Sequence, residues 1–233
     1  MGGKSSRKSG KAGFYPALLA GLFAGLFSAA RGFSGEMNGD AVADALQKRV
    51  NSTAEFVADF RQETEIKTLG RTIKSAGKVF FKRPGRMLWR YDEPKGQYVV
   101  ADGKYLYLYQ PEQAQVIKTP LRSAFRSDVP LSFLLGMGNL KRDFQYDLKG
   151  AEKDAYLLKL IPKSELGQVG ELTLGVDASS FDLKWVRIQD AVGNVTTVRF
   201  SSLRRGVEVK DALFQPEIPK GVEVVELGSL EGH

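Results

Sequence analysis

The sequence predicts a mainly β protein. It reads as one large, strongly curved antiparallel sheet or barrel of about ten or eleven strands, with short α-helices covering its open side. Three observations carry this reading. Apolar and polar residues alternate with a period of two through most of the chain after residue 55. Turn pairs punctuate those runs at short spacing: Pro84-Gly85, Asp102-Gly103 and Gly193-Asn194. Helical periodicity is confined to two or three short stretches.

The first thirty residues stand apart. Lys4, Arg7, Lys8 and Lys11 form a positive start with no acid, and residues 12–30 carry no charge. Ser28-Ala29-Ala30 then offers small residues for cleavage after Ala30, which makes 1–30 a secretory signal peptide with Arg31 as the first mature residue. A retained membrane anchor is the alternative, weakened by Gly13, Pro16, Gly21 and Gly25 within a barely sufficient length. Residues 31–39 are small and polar, a flexible lead, and 40–233 reads as a single domain.

Along that domain, Asp40 is the expected N-cap of a first helix. Its apolar stripe is Val42, Ala45, Leu46 and Val50, and Asn51-Ser52-Thr53 ends it. Phe56, Ala58, Phe60, Gln62, Thr64 and Ile66 then alternate as a strand. Further strands are expected over 73–82, 86–91, 97–101, 104–109 and 115–119. After a break they resume over 144–148, 156–162, 171–177, 182–190 and 195–202. The break holds Pro130 and an apolar run closed by Gly136, which predicts a short helix over 130–135. Residues 207–226, with Pro216, Pro219 and Gly221, read as extended but irregular.

Composition excludes several function classes. The only histidine is His233, so His-based acid–base catalysis and His-ligated metal sites have no material. The absence of cysteine removes thiol catalysis, thiolate metal sites, disulfides and a thioether-linked lipid on this chain. The net charge of +7 belongs partly to the leader: without residues 1–30 the cations number 30 against 27 anions, too even for a nucleic-acid footprint. An exported chain without cysteine fits a bacterial periplasm. Acid pairs such as Asp92/Glu93 and Glu63/Glu65 read as solvated strand edges. No cofactor is expected.

The apolar distribution is more informative. Met87, Trp89 and Tyr91 share one face of a strand, opposite Arg86, Leu88 and Arg90. In Tyr98-Val99-Val100 and Tyr105-Leu106-Tyr107-Leu108-Tyr109 both faces are apolar. Such runs fit either strands covered on two sides or a sheet lining an apolar ligand cavity.

The stretch Ser75-Ala76-Gly77-Lys78-Val79-Phe80-Phe81-Lys82-Arg83-Pro84-Gly85-Arg86-Met87-Leu88-Trp89-Arg90-Tyr91 resembles the LolA-type outer-membrane lipoprotein carrier proteins. Their pattern there is a strand, a Lys-Arg-Pro turn and a Trp-bearing strand. The likeness continues through Pro94, Gln97, Val99-Val100-Ala101-Asp102-Gly103-Lys104, Tyr109 and Pro111, with Phe60-Arg61-Gln62 upstream and looser matches to about residue 225. Met87 departs from it, standing where the family often has an aromatic residue.

The resemblance implies an unclosed β-barrel capped by helices around an apolar cavity, and a carrier rather than an enzyme. Its partners would be lipoproteins bound through their acyl chains, an inner-membrane ABC-type releasing complex and an outer-membrane receptor, with the carrier a monomer. Val50, Met87, Trp89 and Tyr91 are expected to face the cavity, with Leu131, Phe133 and Leu134 opposite on the lid. The resemblance further implies that Arg83 bonds backbone carbonyls of the lid and holds it closed. Here that lid is read as the 130–135 helix. Related half-barrels with other tasks, receptors or stress-sensing regulators, remain the alternative. The first is lipid-anchored through a cysteine that this chain lacks, and the second carries an additional domain.

Overall fold

Eleven runs with strand periodicity cannot all bury a face unless they join, and here they form one sheet with a twelfth, short strand. The computed structural model describes residues 37–127, 138–163 and 169–227. The strands are β1 (Glu55–Ile66), β2 (Arg71–Lys82), β3 (Arg86–Glu93), β4 (Tyr98–Asp102), β5 (Tyr105–Gln110) and β6 (Gln115–Pro120). They continue as β7 (Phe144–Glu152), β8 (Ala155–Pro162), β9 (Val169–Asp177), β10 (Leu183–Asp190), β11 (Val195–Arg205) and β12 (Glu223–Glu226). Their order is β12-β6-β5-β4-β3-β2-β1-β11-β10-β9-β8-β7, so two meanders meet where β1 pairs with β11. β12 and β7 are the two edges, and the sheet is unclosed.

The predicted class holds, with one strand more than expected and one exception to antiparallel pairing. β12 runs parallel to β6, with Val224 opposite Val116. The sequence shows 207–226 as irregular because its order comes from docking. Val209 and Phe214 are buried with Leu88, Val100, Tyr107 and Val116, so this arm covers the outer face of β3–β6. It contacts β3 and β4 through a 3-10 turn at Asp211–Phe214 and reaches β6 at the sheet's edge. The doubly apolar tyrosine runs are therefore strands covered on both sides.

The inner face is covered by α1 (Gly39–Ser52). Asn38, not Asp40, caps it: Asn38 is extended and its side chain accepts a hydrogen bond from Ala41 N at 2.9 Å. Asp40 instead lies in the first turn, where a carboxylate suits the helix dipole, and accepts the Tyr146 hydroxyl. Val42, Ala43 and Leu46 form the buried stripe, with Ala45 only half-buried. Two short helices escape a periodicity reading because neither is long enough to show an apolar stripe. They are α2 (Leu121–Ser127), with Leu121 and Ala124 buried, and α3 (Leu140–Asp143), with Leu140 buried. α3 is capped by Asn139 and tied to α1 by Gln47, whose Oε1 accepts from Leu140 N at 2.8 Å.

Residues 1–36, and with them the expected signal peptide, lie outside the described residues, as does the helix expected over 130–135 with Leu131, Phe133 and Leu134.

One glycine is dictated by close approach. A Cβ on Gly77 would come within 2.0 Å of Arg90 O, where β2 and β3 slip register between Ala76 and Gly77.

Candidate functional site

α1 does not cover the whole inner face. Its last turn borders an apolar cleft of about 730 Å³ of empty space, counting the part open to solvent. Most of its walls follow from strand alternation. Phe56 on β1, Val79 and Phe81 on β2, and Met87 and Trp89 on β3 all point to the inner face. Phe200 and Leu203 on β11, Phe181 just before β10 and Leu183 at its start, and Leu46 and Val50 on α1 complete the apolar wall among the described residues.

Trp89 stands at the centre of this surface and is 8% exposed. Its ring lies 4.7 Å from Phe60 and 5.9 Å from Phe200, in tilted and edge-on contacts. A buried indole N–H needs an acceptor, and Trp89 Nε1 donates to Met87 Sδ. Met87 thus satisfies the neighbouring tryptophan from the same strand face. Trp185 has a different setting. Its neighbour Val186 faces inward, so Trp185 lies on the outer face, where its ring occupies the place of a side chain at Gly175.

Of the predicted residues, Val50, Met87 and Trp89 line the cleft. Tyr91 sits one step behind the wall, half-buried, its ring edge-on to Phe60 at 5.1 Å. Arg83 lies in the turn between β2 and β3 and reaches the C-terminal end of α1. Its Nε donates to Thr53 O at 3.0 Å and its Nη2 to Val50 O at 2.8 Å. These carbonyls belong to the orphan group at a helix C-terminus. Among the described residues these acceptors lie at the C-terminal end of α1; the lid helix expected over 130–135 lies outside the described residues. Pro84 restrains Arg83 to extended backbone, and Arg83 N donates to Ala54 O at 2.9 Å, so the side chain leaves the turn toward α1.

Sequence reasoning missed the polar part of the wall. Arg49 on α1, Asp182 just before β10 and Arg205 at the end of β11 line the cleft together. Arg49 Nε donates to Asp182 Oδ1 at 2.7 Å, and Arg205 Nη2 pairs with the same oxygen. Burial alone would raise the pKa of Asp182, but hydrogen bonds from Arg49 and Arg205 outweigh it and hold the carboxyl below its ordinary range. The preceding Phe181 has φ of 57°, unfavourable for an aromatic residue. It is held by its N–H on Asp177 O at 3.0 Å and by stacking on Tyr156. Nothing in the sequence links three charges from three separate element ends. Phe56 and Phe200, by contrast, were legible as inward positions of alternating runs.

Residues 51–217 match the family model described as outer membrane lipoprotein carrier protein LolA. An outer-membrane lipoprotein carrier protein of Nitrosomonas europaea is 31% identical over 176 residues, covering 76% of this chain and 84% of that protein. One of Methylococcus capsulatus is 32% identical over 178 residues, with 76% and 84% covered. Among solved structures, an uncharacterized conserved protein from Thermus thermophilus superposes with a TM-score of 0.52 at 13% identity, covering 81% of this chain and 98% of that one, a likeness of fold alone. The chain therefore belongs to the LolA family of outer-membrane lipoprotein carrier proteins.

Proposed function

We propose that this protein is an exported periplasmic carrier that shields the acyl chains of lipoproteins in the cleft beside Trp89. It would take them from an inner-membrane ABC-type releasing complex and deliver them to an outer-membrane receptor. The observation that carries the reading is the cleft itself. It is an apolar space between α1 and the sheet, walled by Phe56, Phe81, Met87, Trp89 and Phe200 and left unfilled by the side chains of the described residues. Homologues named as lipoprotein carriers support it.

The physics suits that task. Each methylene taken from water is worth about 0.8 kcal/mol, so three acyl chains cross an aqueous space only inside a shield. The shield must also release its load. Arg83 meets that need: its charge-assisted hydrogen bonds to α1 are worth about 1.5–3 kcal/mol each, strong enough to favour a closed empty carrier and weak enough for a partner to open. Loading then requires an energy-using partner, and unloading requires a receptor that binds the lipid more tightly.

The test is direct. The protein is purified from periplasm and its bound material extracted and analysed by mass spectrometry. N-terminally acylated peptides should be present on the wild type. A protein that carries none, and that fails to hold an acylated peptide added in solution, is not a carrier of this kind.

A further inference from the structure

We propose that Arg49, Asp182 and Arg205 form a subsite for the oxygen-bearing head of an acyl ligand, at the boundary between the apolar cleft and a polar vestibule. This rests on the carrier reading above and adds to it where the polar end of the ligand is recognised. Both guanidiniums converge on one oxygen, Asp182 Oδ1. Each guanidinium has five N–H donors, and among the described residues neither has a second side-chain acceptor. One cation suffices to neutralise one carboxylate. The second leaves the cluster with a charge of about +1 and a surplus of donors. A purely structural clasp between α1 and β10 would need Arg49 and Asp182 alone.

The position argues further. Arg205 and Thr53 line both the apolar cleft and an adjoining cavity of about 710 Å³, whose other walls include Ser52, Glu55 and Glu208. An amphiphile with its chain along Met87 and Trp89 can thus place its head at Arg205 and leave its remaining polar part in the second cavity. Asp182 and Arg205 are 17% and 27% exposed, shielded enough for hydrogen bonds to count and open enough to receive a ligand atom. Glu55 does not compete for the guanidiniums, because it accepts from Val209 N and pairs with Lys82. The chemistry that fits is an acyl carbonyl or carboxylate oxygen. It can come from the ester and amide carbonyls of an acylated protein or from the carboxylate of a free fatty acid.

The test is competitive displacement of a hydrophobic dye from the purified protein by dodecanoate, methyl dodecanoate and dodecane. In the wild type, a head oxygen should improve binding roughly tenfold over the alkane. Arg205→Gln should erase that preference while leaving dodecane unaffected, and Asp182→Asn, which removes the competing carboxylate, should sharpen it. Arg49→Gln is a second route should Arg205→Gln not fold. An ester that binds as well as the acid assigns the subsite to acylated-protein heads; an advantage confined to the acid assigns it to free fatty acids. Equal binding of all three ligands to the wild type overturns the proposal, as does Arg205→Gln weakening all three alike, since the cluster then only clamps α1. If no ligand displaces the dye, the carrier reading falls and the subsite with it.

Discussion

Two halves of the same inner face are finished differently. Under α1, Val42, Leu46, Leu158, Leu160, Leu174 and Val176 are almost fully buried, and branched aliphatic side chains close the space between helix and sheet. Around Trp89 the cluster is aromatic, with Phe60, Trp89 and Phe200 in tilted contacts, and Phe56, Phe200 and Leu203 remain only partly buried. The first region is a core in the ordinary sense. The second is, among the described residues, a core lacking one wall, and the space left is the cleft. On the carrier reading, stability and binding are separated along the sheet: β7–β10 with α1 supply the first, and β1–β3 with β11 most of the surface for the second.

The largest effect should come from breaking the finished half. Leu158→Ala removes a side chain with no exposure, so it should lower unfolding stability by about 2–5 kcal/mol. The folded fraction should still bind an acyl ligand with wild-type affinity. Leu203→Ala on the cleft wall should do the reverse, costing about 1 kcal/mol of stability while weakening acyl binding measurably. Chemical denaturation and dye binding on both variants check the pair. Equal losses of affinity would mean that the two halves form one cooperative core.

The same division explains how far the sequence could be read. Strand alternation is a local signal, so Met87, Trp89 and the inward faces of β1 and β2 were legible from period and turn chemistry alone. Elements stabilised by docking were not. The arm at 207–222 and β12 have no periodicity of their own and are ordered by burying Val209 and Phe214 on the outer face. The cleft's polar rim was hidden for a related reason: Arg49, Asp182 and Arg205 are brought together only by the long-range pairing of β11 with both β1 and β10. Arg83 could be singled out by its turn, but its acceptors at Val50 and Thr53 could not, because helix-terminal carbonyls carry no residue signature.

A smaller effect should come from loosening the boundary between the two halves. Arg83 holds the end of α1 through Val50 O and Thr53 O, and both residues line the cleft. Arg83→Leu should destabilise that last turn by about 1.5–3 kcal/mol, read as faster amide exchange at the C-terminal end of α1 with the Leu158 side unchanged. The variant should still accept lipoprotein, because the apolar walls remain. It should pass it on slowly, because the closed empty state that favours release is lost. Arg83→Lys should fall between, keeping the charge without the fork. Transfer at the wild-type rate with unchanged exchange would make Arg83 a turn residue only.

The smallest effect is spectroscopic, and it locates the cleft without perturbing it much. The two tryptophans lie on opposite faces of the sheet: Trp89 against Phe60 and Phe200 in the cleft wall, Trp185 over Gly175 outside. An acyl ligand in the cleft would displace water from the Trp89 ring alone, since nothing about Trp185 changes when the inner face fills. Adding dodecanoate to the wild type should therefore shift tryptophan emission to shorter wavelength. Trp89→Phe keeps an aromatic ring in the wall, so binding measured by dye displacement should persist while nearly all of the emission change disappears. Trp185→Phe should lower the total signal and leave the change intact. If the ligand-induced change survives Trp89→Phe, then Trp185 is reporting it, and the acyl chain is not bound between α1 and β1–β3.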